Sequence, residues 1–156
     1  MNELLGAIEK LSAVAALKSS FVAYPVVNGL HVLAIGALVT SVLLMDFRLL
    51  GAFASMPASP FQRLLRRVAL FAFAVAVLTG ITIFAVRARD YAASPVFLLK
   101  LTLIAAAIAN FLFFSWLQAG RSETKPPTPL MRLSAVCSVL LWLGVLFAGR
   151  FIGFYG

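Results

Sequence analysis

The sequence predicts an all-α integral membrane protein, a transmembrane four-helix bundle preceded by an N-terminal interfacial amphipathic helix. Hydrophobic residues make up 63% of the 156 residues and charged residues only 12%. In an average soluble domain about 45 to 50% of the residues are apolar and about 25% are charged. Four apolar runs are also long enough as helices, at about 1.5 Å per residue, to cross a hydrocarbon core of about 30 Å.

Residues 1–20 are predicted to form the interfacial helix. One side of a helix over these residues is apolar and the other is charged, which is typical of a segment that is too polar to span. The apolar side has Leu4, Leu5, Ile8, Leu11 and Ala15, and the charged side has Glu3, Glu9 and Lys10. A helix packed on the end of the bundle is the other explanation of this pattern.

The transmembrane domain is predicted to cover residues 21–156. Proline stands at or just before each predicted span, where its missing N–H costs no helical hydrogen bond, and Ser94 is a predicted cap of the third span. The spans are 25–50, 61–86, 95–118 and 130–154, and the prolines are Pro25, Pro60, Pro95 and Pro129. Short turn-like segments separate them, at 55–60, 89–94 and 120–129.

An internal echo suggests a duplicated helical hairpin. Pro60, Arg63, Leu64 and Gly80 recur at the same spacing, and Pro25 and Pro95 stand at nearly the same offset. The recurring residues are Pro129, Arg132, Leu133 and Gly149. Two such hairpins keep the same orientation, so a pseudo-two-fold axis would run along the membrane normal. Because prolines are common at helix starts, coincidence is the alternative.

The formal net charge of +8 comes from basic residues at the ends of apolar runs, a pattern that indicates lipid headgroups and topology instead of nucleic acid. Arginine is densest around the predicted loops 51–60 and 119–129. We therefore expect these loops in the cytoplasm and both termini outside.

Ionisable residues inside the spans are costly and are therefore the first candidates for function. His31 lies roughly 9 Å into the first span and Lys100 roughly 7 to 8 Å into the third, both from the outer end. Arg150 enters the last span from the same side, so we expect the three to line a cationic pocket in the outer leaflet. Predicted further contributors are Tyr24, Asn28, Tyr91 and Trp142.

Each of these residues also has a structural explanation. Lys100 and Arg150 can extend to the headgroups, His31 can be a hydrogen-bonded packing residue, and Trp142 fits a core. Thr79 is predicted to hydrogen-bond between helices.

At the other end, Asp46 is predicted to form an ion pair with Arg63, Arg66 or Arg132 as a structural lock. Alternatively, Asp46 is part of a proton or ion path. We find no catalytic triad, paired carboxylates, phosphate loop or metal-ligand spacing, so no catalytic residue is assigned and enzymatic hydrolysis is not expected. His31 is the one residue that we would assign to a metal.

Several stretches carry a resemblance to a known family. They are Tyr24-Pro25-Val26-Val27-Asn28-Gly29-Leu30-His31, Asp46-Phe47-Arg48-Leu49-Leu50-Gly51, Ser94-Pro95-Val96-Phe97-Leu98-Leu99-Lys100, and Leu141-Trp142-Leu143-Gly144 with Gly149-Arg150. This pattern resembles a family of small uncharacterised bacterial four-helix membrane proteins. The resemblance implies the bundle and a bacterial inner membrane, and it carries no activity. A looser similarity, a histidine early in a helix of a small bundle, links the chain to b-type cytochromes and copper-resistance membrane proteins. The chain departs from both, because one histidine cannot supply bis-histidine haem ligation or a copper site with several ligands.

Three functions remain open at this point. The leading hypothesis is an electron-transfer or ligand-binding module that holds haem b or a quinone, with His31 as ligand and Lys100 and Arg150 meeting acidic groups. The second is a small transporter or channel component with a path to Asp46, and the third is a non-catalytic membrane anchor or assembly subunit. Expected partners are the lipid bilayer, a second copy of the chain or a redox or periplasmic protein, with no nucleic acid.

Overall fold

A computed structural model describes residues 2–121 and 125–155. This part of the chain has no strands and forms seven helices. They are α1 (Asn2–Glu9), α2 (Ser12–Ser19), α3 (Ala23–Leu49), α4 (Ala58–Val86), α5 (Ala88–Ala93), α6 (Pro95–Gln118) and α7 (Pro129–Tyr155). The all-α prediction is confirmed, and α3, α4, α6 and α7 are long and apolar enough to cross a membrane.

The four long helices form two antiparallel hairpins. α3 packs along α4 and α6 along α7, and contacts between α3 and α7 join the hairpins. We call the end with α5 and both chain ends the termini side, and the end with the connections 50–57 and 119–128 the loop side. The last of these connections lies partly outside the described residues.

The backbones of α4 and α6 do not approach each other as closely as those of the other neighbouring long helices. Side chains link these two helices instead. On the loop side the Arg66 guanidinium lies over the Phe111 ring, 5.5 Å from its centroid. On the termini side Phe84 stacks on Phe97 with ring centroids 5.4 Å apart. The order around the bundle is therefore α3, α4, α6, α7.

The middle of the bundle is filled around Trp142 of α7, which is 9% exposed. Small side chains on α4 and α6 face this cluster and make room for the indole ring. The other buried members are Leu38, Val39, Ala69, Ala72, Ala107 and Val145. The centre of the bundle is thus an apolar core, and the ionisable residues of the spans lie toward its two ends.

The N-terminal region is helical as predicted, but it consists of two short helices instead of one continuous helix over Asn2 to Lys18. α1 packs on α4 and α5, and α2 packs on α4. The Glu9 carboxylate accepts a hydrogen bond of 3.0 Å from the Arg89 backbone N–H. A methyl group at Gly6 would collide with the Arg89 guanidinium, which lies against this glycine. These contacts favour a segment packed on the end of the bundle.

The connections agree only partly with the predicted turns. The segment predicted as a turn at 89–94 contains the short helix α5, because Ala88 is fully buried and holds this segment against the bundle. Ser94 caps α6 as predicted, since its hydroxyl accepts a hydrogen bond from the Phe97 N–H at 3.4 Å. On the loop side, Gly51 has a φ of +110°, a conformation that favours glycine after a helix.

Candidate functional site

His31 projects from α3 onto α4 on the termini side. Its Nδ1 lies 2.9 Å from the Thr79 hydroxyl oxygen. The ring also lies against the backbone of Gly80, because a Cβ placed there would be 3.0 Å from the imidazole Cε1. Glycine at this position lets the imidazole approach the α4 backbone more closely than any side chain would allow.

The Thr79 hydroxyl is itself engaged with its own helix. Its oxygen lies 2.7 Å from the Val75 carbonyl oxygen and 3.3 Å from the Ala76 carbonyl oxygen, and the hydroxyl donates to these acceptors. Because a hydroxyl has one hydrogen, Thr79 meets the imidazole with a lone pair. Thr79 therefore fixes the ring in one position on α4.

Lys100 of α6 repeats this arrangement in the second hairpin. Its side chain crosses to α7, where a Cβ placed at Gly149 would be 3.4 Å from the ammonium nitrogen Nζ and 3.6 Å from Cε. The side chain is half-buried, so its stem runs along the neighbouring helix instead of extending into lipid. This placement differs from simple extension to the headgroups.

His31 and Lys100 face the same space between the hairpins. Lys100 is close enough for its positive charge to act on the imidazole. In the described ranges the ion pair found is Arg87 with Asp90, at 2.9 Å, so neither His31 nor Lys100 is neutralised by an acid there. We call His31 and Lys100 the basic pair. Small residues within about one helical turn of His31, Gly80 and Gly149 are buried: Ala34, Ala76 and Ala148.

Tyr24 and Tyr91 lie at the mouth of this region, and both are half-buried. Tyr91 of α5 packs on Phe84 and Phe97, with ring centroids 6.2 Å and 5.5 Å away. Burial raises the pKa of Tyr91, and the nearby Tyr24 hydroxyl raises it further, so the phenol is neutral at physiological pH. Asn28 is exposed on α3.

The remaining predicted pocket residues are less closely associated with the basic pair. Arg150 follows Gly149, the glycine that Lys100 contacts, and it is exposed. Trp142 belongs to the central core, two turns of α7 before Arg150, and this favours the core explanation over a wall of the pocket. The fold thus brings His31 and Lys100 together most directly.

The predicted lock between Asp46 and an arginine is wrong. Asp46 is 7% exposed, its side chain hydrogen-bonds with Ser138 of α7, and its second carboxylate oxygen, Oδ2, has no partner. Arg63 instead donates to the Ser59 hydroxyl at 3.1 Å, and no ion pair of Arg132 is found in the described ranges. The prediction failed because Asp46 faces α7 inside the bundle, whereas the arginines at the helix starts are exposed.

A second polar contact lies near Ser138, one helical turn earlier on α7. The Asn110 amide donates to the Ser134 carbonyl and its oxygen accepts from the Ser134 hydroxyl, both at 3.0 Å. The loop side therefore holds hydrogen-bonded neutral groups and one buried acid.

Sequence reasoning did not assign Gly80, Gly149 or Ser138 to a site. For the glycines a signal was present, since they recur at the same spacing in the internal echo, but the echo was interpreted only as a sign of a duplicated hairpin. Ser138 carried no signal, because a serine in a span usually hydrogen-bonds to its own helix. Only the packing of α3 on α7 places it beside Asp46.

The fold and site define a four-helix membrane bundle with a basic pair between its two hairpins. Residues 11–155 match the family of unknown function DUF6644. Because this match covers most of the chain, the protein belongs to that family. No curated protein and no solved structure matches the chain.

Proposed function

We propose that this protein is a membrane ligand-binding module whose basic pair holds the polar head of a redox amphiphile of the quinone or haem type. The observation that carries the proposal is that His31 and Lys100, from different hairpins, are close enough to interact electrostatically, are half-buried and have no acidic partner in the described ranges. Exposed basic groups are solvated by water, whereas a half-buried pair gains most from a ligand that supplies oxygen atoms.

Of the two ligand types, a quinone fits this chain better. The sequence contains one histidine, so a single copy supplies at most one imidazole to a haem iron, and bis-histidine ligation would need a second copy. A quinone head needs only hydrogen-bond partners for its oxygen atoms, and the basic pair offers an imidazole nitrogen and an ammonium group. Its apolar tail would remain among the lipid chains.

Electron transfer to a bound quinone would need an electron donor besides the ligand itself. Conversion of a quinone to its quinol takes two electrons and two protons, and a redox protein docked at the membrane surface would supply the electrons. We propose such a protein as the partner, as the sequence analysis predicts.

The absorption spectrum and the extractable lipids of detergent-purified protein test this function. We expect a quinone in the extract, or a Soret band if the ligand is haem, that is lost in His31→Ala and Lys100→Met. Lys18→Met is the control, because Lys18 is an exposed lysine on α2 and is not a member of the basic pair. A folded, colourless and ligand-free wild-type preparation that also fails to bind added quinone or haem would exclude the proposal.

A second candidate function rests on a different observation, the unpartnered buried oxygen of Asp46. A buried acid beside the Ser138 hydroxyl is a usual component of proton or ion paths in transporters and channels. Proton or cation flux into liposomes should then fall in Asp46→Asn. Flux that is equal in this variant and in the wild type would remove the transporter hypothesis.

We propose the bacterial inner membrane as the location, with the loop side in the cytoplasm. The density of arginine around the loop side supports this orientation. Labelling of single cysteines in intact cells tests it, after Cys137, the one native cysteine, is replaced by alanine. Labelling of a cysteine at Ala52 from outside would reverse the orientation.

A further inference from the structure

The two members of the basic pair hold matched positions in the two hairpins. His31 and Lys100 are 69 positions apart, and so are Gly80 and Gly149, the glycines that they contact. The prolines and arginines of the internal echo, Pro60 with Pro129 and Arg63 with Arg132, have the same offset. Contact geometry and sequence offset therefore agree on one repeat, which strengthens duplication over coincidence.

The matched positions nevertheless offer opposite hydrogen-bonding roles. The position matched to Thr79 is Ala148, so the second hairpin has no hydroxyl beside its basic group. The Lys100 ammonium has hydrogens only to donate. His31, in contrast, meets the lone pair of the Thr79 oxygen with Nδ1, so this nitrogen carries the hydrogen and donates. In a neutral imidazole the other nitrogen, Nε2, then has a lone pair and accepts.

Nδ1 is bonded to Thr79, and the imidazole also interacts with the Ala76 carbonyl, which lies 3.3 Å from the Thr79 oxygen. Among the described residues no hydrogen bond is found for Nε2. The arrangement corresponds to that of metal-binding and substrate-binding histidines, in which one nitrogen is held by a second group and the other faces the ligand. The site thus presents one acceptor and one donor.

We propose that this site selects the reduced form of a para-quinone, the hydroquinone, over the oxidised form. The inference rests on the proposed function and specifies its ligand. A hydroquinone has a hydroxyl that donates to Nε2 of His31, and its second oxygen accepts from the Lys100 ammonium. An oxidised quinone has two carbonyl oxygens that only accept, so it pairs with Lys100 and leaves Nε2 facing a lone pair.

Binding of a short-tailed para-benzoquinone and of its hydroquinone to the protein in lipid nanodiscs, measured anaerobically, tests the inference. We expect the hydroquinone to bind about tenfold more tightly, the worth of a hydrogen bond made in place of a repulsive contact. Equal affinities, or tighter binding of the quinone, would overturn the selection of the reduced form and leave the proposed function intact. Absence of binding by both forms would instead overturn the quinone proposal itself.

Two variants separate the role of Thr79 from a general effect on the helix. Thr79→Val removes the group that fixes the hydrogen on Nδ1, so the ring can turn its N–H toward a carbonyl and the preference for hydroquinone should fall severalfold. Thr82→Val is the control, because its hydroxyl donates to the Leu78 carbonyl of its own helix at 2.8 Å. A preference that falls equally in both variants, or in neither, would contradict the mechanism.

A direct readout does not depend on either variant. His31 is the single histidine, so the wild-type protein labelled with ¹⁵N-histidine gives one imidazole whose two nitrogen shifts report the tautomer. We expect the hydrogen on Nδ1 near neutral pH. A hydrogen on Nε2 in the ligand-free protein would overturn the inference.

Discussion

The two hairpins share a layout and differ in rigidity. In both, a basic side chain from the first helix lies against a glycine of the second, His31 on Gly80 and Lys100 on Gly149. The imidazole is held by Thr79 through a hydrogen bond, whereas the lysine stem has four rotatable bonds and rests on a helix with Ala148 at the matched position. The same backbone framework thus presents one fixed and one adaptable group.

The comparison shows how two hairpins with matched contacts can present unlike basic groups. The glycines provide the close approach in both hairpins, and this requirement is independent of which basic residue uses it. The chemistry then depends on single substitutions, such as threonine or alanine beside the basic group. A ligand with two different edges can be oriented by such a site, although the framework is repeated.

The largest expected effect comes from adding a methyl group at the two glycines. In Gly80→Ala the new Cβ would be 3.0 Å from the ring of His31, which cannot move without losing Thr79, so we expect a loss of about 1 to 3 kcal/mol in the free energy of unfolding. In Gly149→Ala the new Cβ would be 3.4 Å from the flexible end of Lys100, so the free energy of unfolding should change by less than about 1 kcal/mol. Denaturant titration in mixed micelles measures both. Equal losses would show that the hairpins are equally rigid.

The next effect concerns the loop side of the second hairpin. Asn110→Ala removes two hydrogen bonds with Ser134, and the position matched to Ser134 in the first hairpin is Leu65, which cannot form them. Interhelical hydrogen bonds in membranes contribute about 0.6 kcal/mol each and at most about 1.7, so we expect a loss of about 1 to 2 kcal/mol. Thr102→Val is the control, since Thr102 bonds only to carbonyls of its own helix. An effect no larger than that of the control would mean that this contact contributes nothing.

A smaller effect is expected where the first helix of each hairpin begins. Ser94 caps α6 through the Phe97 N–H, whereas Val22 at the start of α3 provides no side-chain cap. Ser94→Ala should therefore cost about 1 kcal/mol, and Val22→Ser should be neutral or stabilise the protein by a few tenths. Both are measured as midpoints of thermal unfolding in detergent. A stable Ser94→Ala protein would indicate that Pro95 alone determines this helix start.

The smallest effect is expected at Asp46. The matched position in the second hairpin is Ser115, a neutral residue. Asp46→Asn keeps a hydrogen-bonding group for Ser138 and breaks no ion pair, so we expect a change below about 1 kcal/mol in unfolding free energy. Loss of a buried ion-pair partner costs about 3 to 5 kcal/mol, and a loss of this size would restore the predicted lock with an arginine.

Much of the fold follows from local chemistry. Long apolar runs must satisfy their backbone groups internally in lipid, and prolines and Ser94 mark where the helices begin. The predicted spans therefore agree with α3, α4, α6 and α7 within a few residues. The break between α1 and α2 and the formation of α5 were missed, because both depend on contacts with the end of the bundle, such as that of Gly6 with Arg89.

The sequence predicted how far His31 and Lys100 lie along their helices, but it did not predict the direction in which their side chains point. The distance of His31 and Lys100 from their helix starts placed both on the termini side, since helical rise is constant. Which neighbour each side chain contacts depends on the rotation of the helices about their axes, and a membrane span that is apolar on all sides carries little information about that rotation. For the same reason Asp46 was assigned to an arginine instead of to Ser138.

The amino-acid sequence by itself therefore determined the four long apolar helices, their order along the chain and the basic residues at their ends, and it indicated a repeat that relates the two hairpins. The tertiary structure decided that α3 packs on α7, that His31 is held by Thr79 and that Lys100 shares its space. The physical reason is that burial in lipid specifies helices segment by segment, whereas the partner of a polar side chain is specified only when close-packed helices select one rotation among several of similar hydrophobicity.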